Sequence, residues 1–332
     1  MASPLLRKNT IIAAKIETTE GTMVTPGATD VRFVVHEAKY KTEIAKIDRN
    51  IVGPGFAGKQ ALISNKLARA TFRTEIVGSG TAGTEPAWGN VLLKACGFKL
   101  TTVASTSNQY DPVTNPSTYD STGANGNCSL TIWVYEDGVV KKARGCRGTV
   151  KITAEAGQTA FMDWEFLGIH DSVADAAYPT LHATADTQVP PILENATLAF
   201  HALGTDTILV KSISLDIGNS IAPRWDANYG SGIKSIFIGD RKVTATIDPE
   251  QTLQATFDPI LREATPTLGA FTFTLGSAVG NRFILTAPAA KVQITDTDEA
   301  DRDGILTNTL QLAFFVPLIE DATDKEIRFL LN

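Results

Sequence analysis

The sequence is poor in residues that build disulfide frameworks and metal sites. It holds three cysteines and four histidines in 332 residues. An odd number of cysteines without metal-ligand spacing predicts free thiols made in a reducing cytoplasm, not a disulfide scaffold or a zinc site. No histidine has a partner at ligand spacing either. The residues concerned are Cys96, Cys128, Cys146, His36, His170, His182 and His201.

The sequence also lacks signals for membranes and for nucleic acid. No apolar run approaches the roughly 20 residues that cross a bilayer, and the N-terminus lacks the apolar core of a signal peptide. The net charge is −6 and the pI is near 5.3, which argues against a surface that binds nucleic acid by neutralising phosphates. What remains is ordinary globular composition, 43% hydrophobic and 20% charged, with length enough for two domains.

Strand patterns dominate the chain. Residues 67–77 and 129–135 alternate with the period of two that a half-buried strand requires. Asp137 and Gly138 predict a hairpin turn, and a second hairpin is expected around Ala156 and Gly157. The sequence therefore predicts a mainly β fold, a sandwich or barrel-forming set of antiparallel sheets with one short helix per repeat.

Two short helices and one long loop interrupt the strands. The first helix is expected from a Thr84 cap through Pro86 in the first turn to Gly97 at its end. The second, "DPILREA", has Asp258 as cap and Pro259 in its first turn. Residues 101–127 are rich in Ser, Thr, Asn and Gly, which predicts a long surface loop.

The order of these elements occurs twice, which predicts an internal duplication. Residues 242–248 alternate as residues 69–75 do, with an offset of 173 (242 − 69), and "KVQIT" matches "TVKIT". Irregular stretches at 48–66 and 218–240 separate the first two strands of each copy. The expected organisation is an N-terminal arm (1–30), a first copy (31–170), a linker (171–190), a second copy (191–320) and a C-terminal arm (321–332).

Two motifs could carry chemistry, but each has a simpler interpretation. Gly78, Gly80 and Gly83 fit GxGxxG before a helix, yet no acidic residue follows at the ribose-binding distance and Glu85 would repel phosphate. A flexible loop is expected instead of a nucleotide site. The acidic residues from Asp296 to Asp303 could bind a cation or form a solvated hairpin tip, and the sequence leaves both open.

No local signature of a catalytic triad is present. We therefore expect no catalytic residue, no cofactor and no metal ligand. Trp225 stands with Pro223, Arg224 and Tyr229 in an irregular stretch, where an aromatic residue beside arginine is typical of a contact surface, or of packing under its own loop.

Several phrases of the sequence resemble one known family. "RKNTIIAAKIETTEGTMVTPGATDVRFVV", "IDRNIVGPGFAG", "RATFRTEIVGSGTAGTEPAWGNVLLKACGF", "YEDGVVKKARGCRGTVKI" and "WEFLGIHD" resemble the tail tube proteins of siphophages and related prophages. The resemblance covers the whole chain in order and is strongest over residues 5–170. It implies two packed antiparallel sheets with one helix at the side, and a structural protein of the virion tail assembled in the host cytoplasm.

The resemblance also implies an assembly and its partners. Inner sheets would close into a β-barrel, and the rings would stack around the tape measure protein and later pass DNA without binding it specifically. Two copies per chain and six-fold rings imply a homotrimer with pseudo-six-fold symmetry, the alternative being a homohexamer. Tail terminator and baseplate proteins are expected partners, and a membrane is not. The inter-ring contacts are expected at Arg49, Pro54, Phe56, Pro223, Arg224, Trp225 and Tyr229.

Two other functions stay open at this point. One is another ring-forming tail component, such as a baseplate or terminator protein, which would form a single closed ring. The other is an enzyme that binds a nucleotide at the glycine-rich loop.

Overall fold

The predicted mainly β fold is confirmed by a computed structural model. It describes residues 5–31, 33, 35–49, 51–52, 59–113, 118–182, 188–194, 197–200, 209–265, 268–316 and 326–332. The strands of the first half are β1 (Thr10–Ile16), β2 (His36–Ile47), β3 (Leu62–Glu75), β4 (Phe98–Val103), β5 (Ser107–Pro112), β6 (Leu130–Glu136), β7 (Val139–Glu155) and β8 (Phe161–Asp175). Those of the second half are β9 (Thr197–Phe200), β10 (Val210–Asp216), β11 (Asn219–Trp225), β12 (Ile233–Arg241), β13 (Thr244–Pro249), β14 (Gly269–Leu275), β15 (Phe283–Arg302), β16 (Ile305–Phe314) and β17 (Arg328–Leu331).

The strands of the first half pair in a fixed order, all antiparallel. β3 lies between β2 and β8, and β8 also pairs with β7. The first part of β7 pairs with β6, and β6 pairs with β1. Residues 10–16 of the expected N-terminal arm are therefore part of the sheet.

The second half repeats this pairing order. β13 lies between β10 and β16, and β16 pairs with β15. β15 pairs with β14, and β14 pairs with β9. Six strands of the second half thus follow the pairing order of six strands of the first, whereas β11, β12 and β17 have no counterpart there.

Strand pairing joins the two halves twice: β7 pairs with β10, which we call the junction, and β5 pairs with β17. The end of β7 pairs with β10, from Ser212 opposite Glu155 to Asp216 opposite Lys151. The pairing path β2-β3-β8-β7-β10-β13-β16-β15 is therefore continuous. One hydrophobic core includes side chains of both halves, among them Trp164 and Phe166 of the first and Phe271 and Phe283 of the second.

Both predicted helices are present, and the first differs in detail. It is π-helical over Gly89–Leu93 and has no side-chain cap, so the predicted cap at Thr84 is wrong. Glu85 instead pairs with the buried Lys94 at 2.9 Å. The second helix, α1 (Pro259–Ala264), is capped as predicted, because Asp258 accepts a hydrogen bond from the amide of Leu261.

Two predicted irregular regions contain strands. Residues 101–127 are not one surface loop: β4 and β5 form a hairpin there, and β5 buries Asn108 and Tyr110. β17, in the expected C-terminal arm, lies between β5 and β15. Residues 218–240 are also not irregular, because β11 and β12 form a separate two-stranded antiparallel sheet.

Candidate functional site

The junction between the halves is the first feature that bears on assembly. It places residues of β10 opposite residues of β7 in register, and the Nζ of Lys211 lies 2.9 Å from Oε1 of Glu155 across it. Hydrogen bonds of the ladder and a cross-strand ion pair thus join the strands of the two halves edge to edge.

The face of this sheet that points away from the core carries many charges. Cross-strand ion pairs link them: Arg73 donates to Asp163 at 2.6 Å, and Arg69 pairs with both Glu43 and Glu165. The hydrogen bond to Asp163 raises the pKa of Arg73. In the first half, Arg69 and Arg73 of this polar face are thus paired with carboxylates.

Two hairpins stand at the same place in the two pairing orders: β2 with β3, and β11 with β12 between β10 and β13. The sequence-predicted contact residues fall on them, with different outcomes. Arg49 lies exposed just beyond β2, whereas Pro54 and Phe56 lie outside the described residues. Pro223, Arg224 and Trp225 end β11, and Tyr229 lies in the following turn.

The hairpin of β11 and β12 has a buried side and an exposed side. Its Ile233 and Ile236 pack against Leu167 and Ile169 of β8. Trp225 is 60% exposed, and Tyr229 and Phe237 are also exposed. Trp225 therefore faces solvent and is not packed under its own loop, and its place in a contact surface stays a prediction.

The hairpin of β2 and β3 carries an uncovered apolar surface. Ile47, Val52, Leu62 and Ile63 are at least half exposed near its tip. Large exposed apolar side chains grouped in one projection are typical of a protein contact surface. The sequence did not single these residues out, because each one alone fits a normal strand.

The glycine-rich loop after β3 packs against the loop between β14 and β15 of the second half. The amide of Gly78 donates to Oδ1 of Asn281 at 2.6 Å, and a Cβ on Gly78 would lie 2.0 Å from the carbonyl oxygen of Gly280. Two backbones approach too closely here for a larger residue. This close approach of two backbones accounts for the glycines without a bound nucleotide.

The acidic residues near Asp296 lie mostly along a strand. β15 extends to Arg302, so the turn is confined to Asp303 and Gly304. Asp296, Asp298, Glu299 and Asp301 are exposed. Within the described part of the chain, no group of three or more His, Cys, Asp or Glu side chains is arranged to hold a metal ion.

The cysteines are buried free thiols, as predicted. Burial raises the pKa of Cys128 to about 12 and that of Cys146 well above its usual value, so both stay protonated at neutral pH. The histidines are dispersed: His36 lies near Glu75, and His170 hydrogen-bonds Tyr40 at 2.7 Å, while His201 lies outside the described residues.

A buried carboxylate that sequence reasoning missed fixes the N-terminal segment. Glu17 is fully buried and accepts hydrogen bonds from the amides of Gly21 and Gly145 and from the hydroxyls of Ser129 and Thr131, at 2.6 to 3.0 Å. Burial raises its pKa despite these four bonds. Its donors are more than 100 residues away except Gly21, so no local sequence signal could indicate them.

A polar cleft of about 910 Å³ is lined by three arginines, but two of them are already paired. Arg147 pairs with Glu20 at 2.8 Å, and Arg241 pairs with Glu326. The cleft therefore resembles a packed ion-pair network more than a catalytic site. Among the helices that the structure describes, none is long and apolar enough to cross a membrane.

The comparisons with known proteins give one result that covers the chain. No curated protein matches it. The sequence model of a family described as "Phage tail tube protein" matches residues 8–314, from just before β1 to the end of β16. That span includes both halves, the junction and both hairpins. The chain therefore belongs to the phage tail tube protein family, a structural component of the virion tail.

Proposed function

We propose that this chain is a tandem duplication of a tail tube domain, and that three chains form a ring with six domain positions. Rings of this kind stack into the tail tube, around the tape measure protein, and later conduct DNA. The subunit acts through its interfaces and has no catalytic role.

The repeated strand order is the main observation that supports the proposal. β2, β3, β8, β7, β6 and β1 of the first half have the same neighbours as β10, β13, β16, β15, β14 and β9 of the second. Unrelated sheets rarely share six strands in one pairing order together with a short helix before the β6 or β14 strand. A duplication accounts for both.

The junction supports the ring. A heterologous contact between equivalent units closes into a ring when the rotation between them allows it. β7 and β10 form such a contact inside one chain. The same contact between chains gives six positions from three chains (3 × 2).

The two projecting hairpins are proposed to connect one ring to the next. Arg49 and the apolar residues beside it occupy one hairpin, and Trp225 and Tyr229 occupy the other. Contacts concentrate on segments that project from a rigid scaffold. Pro54, Phe56, Pro223 and Arg224 belong to the same proposed surface.

The charge distribution suits a conduit. The chain has a net charge of −6, and the polar face of its first-half sheet pairs most of its arginines with carboxylates. A tube wall that repels phosphate or does not attract it lets DNA pass, whereas a basic wall would bind and retain the DNA.

Electron microscopy of the purified full-length protein tests the proposal. Tubes of stacked rings are expected. Single closed rings would favour a terminator or baseplate component, and particles without rings would contradict any tube role. Saturable binding of ATP or NAD in calorimetry, lost on Gly80→Val, would favour a nucleotide enzyme instead.

A further inference from the structure

Two long strand edges of the sheet are unpaired. β2 stands at one end of the strand path, and residues 293–302 of β15, which lie beyond the part that pairs with β14 and β17, have β16 on one side only. Among the described residues, no strand pairs with the outer edge of β2 or with the outer edge of this part of β15. Long open edges are ready to pair with another chain.

The internal junction shows which edges are complementary. β7 holds the position in the first half that β15 holds in the second, and β10 holds the position of β2. β7 and β10 pair antiparallel, with Lys211 and Glu155 as an ion pair across the junction. The unpaired edges of β15 and β2 therefore correspond to the edges of β7 and β10 that pair with each other inside the chain.

The two open edges carry opposite charges on one face. Lys39 pairs with Thr71 and Lys41 with Arg69, so both lysines lie on the polar face of β3. Both are exposed, and the side chain of Lys41 is 75% accessible although its Nζ lies 3.5 Å from Oε1 of Glu43 on the same strand. On the other edge, Asp296 pairs with Gln311 and Asp298 with Thr309, again on the polar face, and both aspartates are exposed.

We infer that the Lys39 and Lys41 edge of β2 pairs with the Asp296 and Asp298 edge of β15 from a second copy of the chain. This inference rests on the proposed ring and specifies its seam. The opposite charges of the lysines and aspartates determine which edges pair. Lys211 and Glu155 form the corresponding ion pair inside the chain.

The charges also disfavour pairing of either edge with the identical edge of a second copy. Pairing β15 with β15 would set aspartates against aspartates, and pairing β2 with β2 would set two lysines against two lysines with a carboxylate, Glu43, on each edge. Like charges across an interface suppress the wrong partner. The β2-to-β15 contact sets lysines against aspartates, and it is a head-to-tail contact that can close a ring.

Charge reversal with rescue tests the seam. The variants are Lys39→Glu/Lys41→Glu, Asp296→Lys/Asp298→Lys and the combination of all four. Each double variant places like charges across the seam and is expected to reduce ring and tube yield at low salt at least tenfold. The four-fold variant restores opposite charges in reverse order and is expected to recover most of that yield.

Controls separate a seam effect from loss of folding or from net charge. Lys8→Glu/Lys99→Glu changes the charge equally at exposed positions outside both edges and is expected to assemble normally. Circular dichroism and thermal unfolding report whether each subunit folds. Lys39→Gln/Lys41→Gln, which removes charge without reversing it, is expected to give an intermediate yield that depends less on salt.

The possible outcomes distinguish failure of the seam from failure of the proposed function. Normal assembly of the double variants, or no recovery in the folded four-fold variant, overturns the seam while the tube function stands. Wild-type protein that forms no ring under any condition overturns the proposed function, and the seam with it.

Discussion

The amide of Gly80 donates a 3.0 Å hydrogen bond to the carbonyl of Gly280, which joins the glycine-rich loop of the first half to the loop between β14 and β15 of the second. Gly280 has a φ of +83°, and a Cβ there would lie 2.4 Å from the carbonyl carbon of Gly80. The contact requires glycine for its backbone conformation and for space.

Gly280→Ala is expected to lower the free energy of unfolding by about 2–4 kcal/mol, because a left-handed conformation and a steric overlap add together. Gly157→Ala is the matched control: its φ is +76°, but no atom lies within 4 Å of the added Cβ. The control should lose only about 1–2 kcal/mol. Equal losses in chemical denaturation would show that the loop contact contributes nothing.

Replacing Glu17 tests the buried carboxylate. Glu17→Gln puts an amide donor against a donor, so a loss of about 2–4 kcal/mol is expected. Because the pKa of Glu17 is raised in the folded state, the native protein binds the proton more tightly than the unfolded chain. The stability that this adds is full below the ordinary value of 4.5 and is lost as pH rises through the folded pKa.

The stability difference between wild type and Glu17→Gln should therefore be larger near pH 4 than at pH 7. Urea denaturation at both pH values measures it. A difference that grows with pH would mean that hydrogen bonding, not burial, dominates the pKa of this carboxylate.

Trp225→Ala should leave the subunit folded and weaken tube growth. The side chain is 60% exposed, so its loss changes subunit stability by less than about 0.5 kcal/mol. An aromatic anchor in an interface contributes about 2 kcal/mol or more. The critical concentration for tube growth, measured by sedimentation, should rise accordingly.

Tyr178→Ala is the control for Trp225, since it removes another exposed aromatic side chain outside both hairpins. It should leave tube growth unchanged. Unimpaired growth of Trp225→Ala, or an unfolded subunit, would count against a stacking role for this hairpin.

Local patterns predicted the elements whose signal is local. The buried positions of β3 alternate as its sequence does, and the turn at Asp137 and Gly138 has the positive φ angles, 44° and 101°, that this pair favours. The Asp258 cap and the free thiols follow in the same way. Each depends on neighbours within a few residues.

The missed elements depend on distant partners. β5 contains Asn108, Gln109 and Asp111, a polar stretch that forms a strand because β17 lies beside it and Arg328 pairs with Asp111 at 2.6 Å. β11 contains Pro223, which disfavours a central strand but is tolerated in a two-stranded sheet. Neither partner can be identified from the nearby sequence.

The proposed seam escaped sequence reasoning for a similar reason. The acidic residues near Asp296 fitted a hairpin tip or a cation loop, and only the extent of β15 places them along an edge. Their counterparts Lys39 and Lys41 lie more than 250 residues away. Only the sheet topology relates the two edges to each other. From composition alone, their charged residues are ordinary solvated side chains.

An averaged cryo-electron microscopy cross-section of the tube tests the central proposal most directly. The account predicts three chains per ring, with the two halves of each chain in alternating positions of a six-part inner barrel. Six complete chains in the ring, or second halves lying wholly outside the barrel, would contradict it.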